Sequence, residues 1–319
     1  FNNACNFKCS YCSPQFSTTW GKETEIYGEF PTTPPHNAPE HFQGRRRPIP
    51  NREDNPYVTA FWKWWPTLYK NLKHFRMTGG EPMMDHNTYK VFQYIIDNPK
   101  DDLHLNITSN MCPPDNKLKA KYFDMLHKIC FEKKVEHVMQ FVSVDSWGKQ
   151  AEYIRDGLNY TDWHSQILHM MVDKVPSEIH NMATINALCL ESLPEFLEKI
   201  IWFKGAGKVY GPSINYTLNI LRFPSFQSPL VLPDDLRNKF KGDLVKFLNN
   251  NEKYLEHMEV NQTQRLIDYL DVVKTPHAGA AEQGKLQKDF KTFYSQYDKR
   301  TGKDFEKTFP IIGEWYRGI

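Results

Sequence analysis

The chain has no long apolar run. None of its 319 residues opens a stretch near the ~18 apolar residues of a membrane span, and no secretory signal is visible, so neither a membrane partner nor export is expected. Excess charge of either sign is also missing. The formal net charge of +2 is too small to draw nucleic acid or anionic lipid by its field. Cysteine is sparse, with six in the whole chain and none after Cys189. A disulfide scaffold is thereby excluded. Cys112, Cys130 and Cys189 stand far apart and read as ordinary thiols of a reducing, cytoplasmic compartment. The composition of a disordered chain is absent too: 40% hydrophobic and 24% charged residues can build a core. The length suits one large α/β barrel or two ordinary domains. The first residue is Phe1, inside what reads as a strand. Upstream residues are therefore expected, and the targeting expectations are conditional on them.

What is present gathers at the beginning. Cys5, Cys9 and Cys12 stand at Cx3Cx2C spacing, with Tyr11 before the last and Ser13-Pro14 after it. Three thiolates this close suit a metal ion or an iron–sulfur cluster. Four cysteines would saturate a four-iron cube, and three leave one iron open. An open coordination position is what catalytic metal sites keep. A structural zinc site, or free thiols, is the alternative on the cysteines alone.

The remainder alternates. Gly28 to Pro56 holds seven prolines and the basic run Arg45-Arg46-Arg47, so it reads as an inserted surface loop, either solvated or a lid over substrate. Tyr57 to Lys73 reads as a helix whose aromatics pack it on a sheet or line a cavity. Phe75 to Thr78 is a short strand ending in Gly79-Gly80-Glu81-Pro82. Glycines there let backbone approach a ligand closely, and the carboxylate offers acceptors to a cationic amine. Helices follow at 86–98, 117–134 and 161–174, interleaved with strands at 103–110, 135–144 and 179–188. Ser192-Leu193-Pro194-Glu195 has the form of a capping box, with Gly205 where the C-terminal cap is expected. A sixth strand spans 214–221. Beyond it the pattern is helical at 232–250, 252–273 and 287–297. Strand–helix alternation implies an α/β fold with a parallel sheet. The cysteines, the Gly-Gly-Glu-Pro turn and the pair Ser143 and Asp145 each follow a strand, the face on which parallel barrels bind ligands.

Cx3C-x-aromatic-C followed by a strand-terminal Gly-Gly-Glu-Pro resembles the signature of the radical S-adenosylmethionine (radical SAM) enzymes. The resemblance implies a partial (β/α)6 TIM-like barrel over residues 1–223, carrying the 28–56 insertion, and a helical C-terminal extension over 224–319. It implies a [4Fe-4S] cluster on Cys5, Cys9 and Cys12, whose open iron chelates S-adenosylmethionine. The reduced cluster would split that cofactor to a 5′-deoxyadenosyl radical, which takes hydrogen from a peptide or small-molecule substrate. Gly79, Gly80 and Glu81 would hold the cofactor's amino group, and Ser143 and Asp145 its ribose. Arg155 would pair with its carboxylate, and Tyr11 would lie near its adenine. A reductant such as flavodoxin or ferredoxin is implied as electron donor. Hydrogen abstraction needs no protein acid or base, so no catalytic side chain is assigned.

Asn3-Ala4-Cys5-Asn6-Phe7-Lys8-Cys9, Phe16-Ser17-Thr18-Thr19-Trp20, Ser143-Val144-Asp145, Tyr153-Ile154-Arg155-Asp156-Gly157 and the end around Phe309-Pro310 look closest to the twitch-domain subgroup. The chain departs from that subgroup in having no cysteine after Cys189 to hold an auxiliary cluster, so one cluster is expected. Two other readings compete: a non-catalytic binding module stapled by zinc or an iron–sulfur cluster on the same cysteines, and a degenerate homologue that depends on a partner.

Overall fold

The computed structural model describes residues 1–42, 49, 53–272 and 280–319; the basic run Arg45–Arg47 lies outside them. In chain order the elements are β1 (Lys8–Cys9), α1 (Thr18–Tyr27), α2 (Pro56–Asn71), β2 (His74–Met77), α3 (His86–Asp97), β3 (Lys100–Ser109), α4 (Asn116–Phe131), β4 (Val135–Val142), α5 (Gly148–Ile154) and β5 (Arg155–Asp156). They continue with α6 (Tyr160–Val172), β6 (Glu178–Ile185), α7 (Leu193–Tyr210), β7 (Ser213–Ile220), α8 (Asp234–Asn251), α9 (His257–Tyr269), α10 (Ala280–Thr301), α11 (Phe305–Thr308) and α12 (Pro310–Gly318).

The architecture is α/β. β2, β3, β4, β6 and β7 form one sheet in that order, every neighbouring pair parallel. The order runs along the chain without reversing. Period-two alternation sorts each strand's side chains. Leu103, Leu105 and Ile107, Ile179, Ala183 and Ile185, and Ile214, Tyr216 and Leu218 are buried on the helix-covered face. Each such aliphatic side chain contributes roughly 1.5–3 kcal/mol. The alternate residues Asn106, Thr108, Met139, Phe141, Met182 and Thr217 stand half-buried on the other face. Gln140 alone breaks the apolar layer of β4. Its amide donates to the carbonyls of Ile107 (3.1 Å) and Phe141 (3.0 Å), so the burial leaves no donor stranded.

The helices show their local causes. Asn55 caps α2 by accepting from the amides of Tyr57 and Val58, with Pro56 in the first turn. Trp65 and Tyr69 carry that helix onto the sheet while Trp64 faces out. In α10, Phe290, Phe293, Tyr294 and Tyr297 recur at helical spacing and are all fully buried.

Several boundaries differ from the sequence reading. No strand begins at Phe1. The Asn2 carboxamide accepts from the Ala4 amide (2.8 Å), a local turn that competes with ladder pairing. Cys9 instead belongs to the short β1, antiparallel to β5. Ser192 makes no capping bond to α7, because its hydroxyl accepts from the Trp147 amide (3.2 Å). Gly205 lies inside α7, whose cap is Gly211. The described part of the proline-rich insertion is not a solvated loop: Phe30 and Ala38 are buried, and Phe30 packs on Phe293 at 4.4 Å. Among the described residues no helix is long and apolar enough to cross a membrane.

Candidate functional site

The cysteine loop is tied at nearly every backbone group. Cys9 lies opposite Arg155 in the β1–β5 pair, and the Ser10 amide donates to Ile154 O (2.8 Å). Ser17 caps α1 and donates its hydroxyl to Phe7 O (2.7 Å). Thr19 Oγ1 donates to Cys5 O (2.6 Å) and Trp20 Nε1 to Cys9 O (3.0 Å). The stretch Phe16–Trp20 is therefore the clamp behind the cysteines.

The thiols differ in setting. Cys9 is buried, while Cys5 and Cys12 are half-buried. Burial pushes Cys5 up to about 12 and raises Cys9 and Cys12 as well, and the Arg155 guanidinium opposes the shift at each. Arg155 Nη1 lies 3.7 Å from Cys9 Sγ. A bound cation would offset that burial, since thiolate is the form that ligates metal. The three sulfurs do not all lie within 4.8 Å of one another. A single tetrahedral zinc, with Zn–S near 2.3 Å, needs sulfurs about 3.8 Å apart. As they stand, the sulfurs are not gathered about one such ion.

The turn after β2 meets this loop directly. The Glu81 amide donates to Ala4 O (2.6 Å), and the Gly80 amide reaches Asn2 O (3.4 Å). A Cβ on Gly80 would fall 2.2 Å from Ala4 O. The base of the cysteine loop approaches these glycines from one side, and a cavity of about 200 Å³ lined by Arg76, Gly80 and Glu81 adjoins the turn. The Glu81 carboxylate is 2% exposed. Its Oε1 accepts from the Met83 amide (3.0 Å) and Ser109 Oγ (2.7 Å), its Oε2 from the Asn110 amide (2.7 Å). Burial raises its pKa and those three donors pull it back. Of about four acceptor positions on a carboxylate, three are used, which leaves one on Oε2.

Beyond β4, Asp145 is wholly buried and fully engaged. Arg155 grips it with Nε and Nη2, both at 2.8 Å, Tyr11 Oη donates at 2.8 Å and the Thr184 amide at 2.7 Å. Burial is the largest influence on the Arg155 pKa and would lower it, but the Asp145 charge and hydrogen bond, with Tyr11 and Cys9, together outweigh it and the net shift is upward. Asp145, Arg155 and Tyr11 thus form one unit with Cys9. Ser143 stands apart, half-buried one residue past β4.

Two features escaped the sequence reading. Asn110, past the end of β3, joins three parts of the site. Its amide serves Glu81, its side-chain amide donates to Asn6 Oδ1 (3.0 Å), and its Oδ1 accepts from the Cys112 amide (2.9 Å). The polar triplet Thr108-Ser109-Asn110 closing an apolar strand was the available signal. Arg76, on the open face of β2, lies 4.2 Å over the Phe141 ring and donates to Thr108 Oγ1 (3.2 Å). It pairs with no carboxylate among the described residues, a fact that only strand pairing discloses. A cavity of about 710 Å³ adjoins the loop, walled by Tyr11, Cys12, Phe16, His36 and Phe226.

No protein-family model matches this chain, and no curated protein matches it significantly.

Proposed function

We propose that this chain is a radical SAM enzyme with a partial (β/α)6 barrel. Cys5, Cys9 and Cys12 would hold a [4Fe-4S] cluster, and S-adenosylmethionine would bind across the carboxyl ends of the strands. The observation that carries this reading is the convergence of three spread thiols, the Glu81 turn and the Asp145–Arg155–Tyr11 unit at that one end of a parallel sheet. The barrel reading is supported by strand order. Doubly wound sheets reverse direction, whereas this order does not, and the face away from the buried layer is only half-buried and of mixed polarity. The sixth position would fall to residues 2–4, which bond to Gly80 and Glu81 in the turn after β2.

When bound and reduced, the cluster would supply the electron that splits S-adenosylmethionine, giving the 5′-deoxyadenosyl radical that takes hydrogen from substrate. The protein's residues hold and shield. The spare lone pair of Glu81 suits an ammonium. Ser143 has its hydroxyl at the end of β4, where a ribose would lie. Asp145 is buried and satisfied, so its role is to fix Arg155 and Tyr11 rather than to touch the ribose. Arg155, held against Cys9, places positive charge beside a cluster that is anionic with its thiolates. Arg76 offers the open sheet face an anchor for an anionic group of a small molecule or peptide. The electron donor would be a small carrier such as flavodoxin or ferredoxin.

Metal loading tests the reading. Anaerobic reconstitution should give about four irons and four sulfides per chain, and serine at Cys5, Cys9 or Cys12 should abolish the loading. No iron, with one zinc per chain that is lost when Cys5, Cys9 or Cys12 becomes serine, would replace the enzyme by a metal-stapled module.

A further inference from the structure

Away from the cysteine loop, three ligand-bearing side chains converge where α4 and α6 end. His127 lies near the C-terminus of α4, His169 in the last turn of α6, and Asp173 caps α6. Crossover helices run back antiparallel to the strands, so this cluster lies toward the end of the sheet opposite the cysteines. His127 Nε2 is 3.1 Å and His169 Nε2 is 3.2 Å from the same Asp173 Oδ2. The three ligand atoms lie within 4.8 Å of one another, the only such group of His, Cys, Asp or Glu among the described residues.

We propose that His127, His169 and Asp173 form a second metal site, for a divalent ion of the zinc class. Four observations carry it. Ligands about 2.0–2.1 Å from a tetrahedral zinc stand roughly 3.3 Å apart, close to the two separations from Asp173, with the third within 4.8 Å. Two imidazoles and one carboxylate are the donor set of borderline ions, not of calcium or magnesium. His127 Nε2 is buried and, although 3.1 Å from Asp173 Oδ2, is not aligned to hydrogen-bond to it, so that the contact fits two ligands facing a shared ion. The rings are also held in place: Phe123 packs edge-on to His169 at 5.0 Å and Phe131 to His127 at 5.5 Å. Two helix C-termini add negative partial charge. An ordinary ion pair, Lys119–Asp162, already joins the same two helices near their starts. The ion would be the matching tie at their ends, with at least one position open to water.

Cobalt(II) added alone tests this on the chain with Cys5, Cys9 and Cys12 all changed to serine, which removes the clustered thiolates and leaves only the separate Cys112, Cys130 and Cys189. The site should take one equivalent and give visible d–d bands without the near-ultraviolet thiolate band. Zinc should displace the cobalt. His169→Ala and the near-isosteric Asp173→Asn should each weaken binding ~10-fold or more, with circular dichroism unchanged. If His169→Ala fails to fold, Asp173→Asn decides. Bands that survive both substitutions, or no bands in the triple-serine chain, would overturn the proposal and leave a plain ion pair.

Discussion

At the residue scale the site is governed by positions that admit no substitute. Gly80 is one, because an added methyl would meet the backbone of Ala4, which cannot yield without moving Cys5. Gly80→Ala is expected to destabilise the chain by roughly 2–3 kcal/mol and to lower iron loading. Denaturant titration and iron analysis check the two effects separately. Asp145 is another. Asp145→Asn would leave Arg155 buried without its anion, a loss of about 3–5 kcal/mol. A midpoint unchanged in guanidinium would remove Asp145 from its structural role. These residues were legible unevenly. Cys5, Cys9 and Cys12 announce themselves by spacing, and the Gly79–Pro82 turn by its place after a strand. The pairing of Asp145 with Arg155 and Tyr11 could not be read, because it depends on β1 meeting β5 across the fold.

At the scale of elements, hydrophobic period gave most helices and strands to within a few residues. It failed where side chains had other partners. Ser192 looked like a cap and spends its hydroxyl on Trp147; the strand expected at Phe1 is replaced by a turn closed by Asn2. Glu259 shows what periodicity cannot reach. It sits in the first turn of α9, yet its carboxylate accepts from the Tyr216 amide of edge strand β7 (3.1 Å) and pairs with Lys204 of α7 (2.5 Å). Arg265 of the same helix covers the neighbouring Leu218 carbonyl (2.6 Å). Together they occupy backbone groups that an open sheet edge would offer to another chain. Glu259→Ala should therefore lower stability by about 3–5 kcal/mol, since Lys204 loses its partner in a buried setting. It should also promote association, read by light scattering. A stable, monodisperse Glu259→Ala chain would contradict the edge-covering role.

At the scale of the whole molecule, the C-terminal helices and the insertion close on the cysteine loop. Tyr297 of α10 donates to Lys8 O (3.1 Å), and His36 lines the neighbouring cavity. Burial lowers the His36 pKa from 6.5 to about 4. Its folded pKa lies below its unfolded one, so the unfolded chain binds the extra proton between those values. Stability from this group is complete above about pH 6.5 and is lost as pH falls toward 4, by at most ~3 kcal/mol. Carboxyls raised by burial, Glu81 and Asp298 among them, act in the opposite sense. The comparison must therefore be between wild type and His36→Gln, whose loss between pH 7 and pH 4.5 should be smaller. Equal losses would place His36 outside the acid response. The residues that make this long-range closure were not visible in the proline-rich segment, where composition left a solvated loop and a lid over substrate both open.

The central claim is tested most directly by product. The chain, reconstituted anaerobically with iron and sulfide and reduced with dithionite, is incubated with S-adenosylmethionine and assayed for 5′-deoxyadenosine. A radical SAM enzyme gives product that is lost in Cys9→Ala and strongly reduced in Glu81→Ala. An iron-loaded chain that yields no 5′-deoxyadenosine, or a Cys9→Ala chain that yields as much as wild type, would contradict the claim.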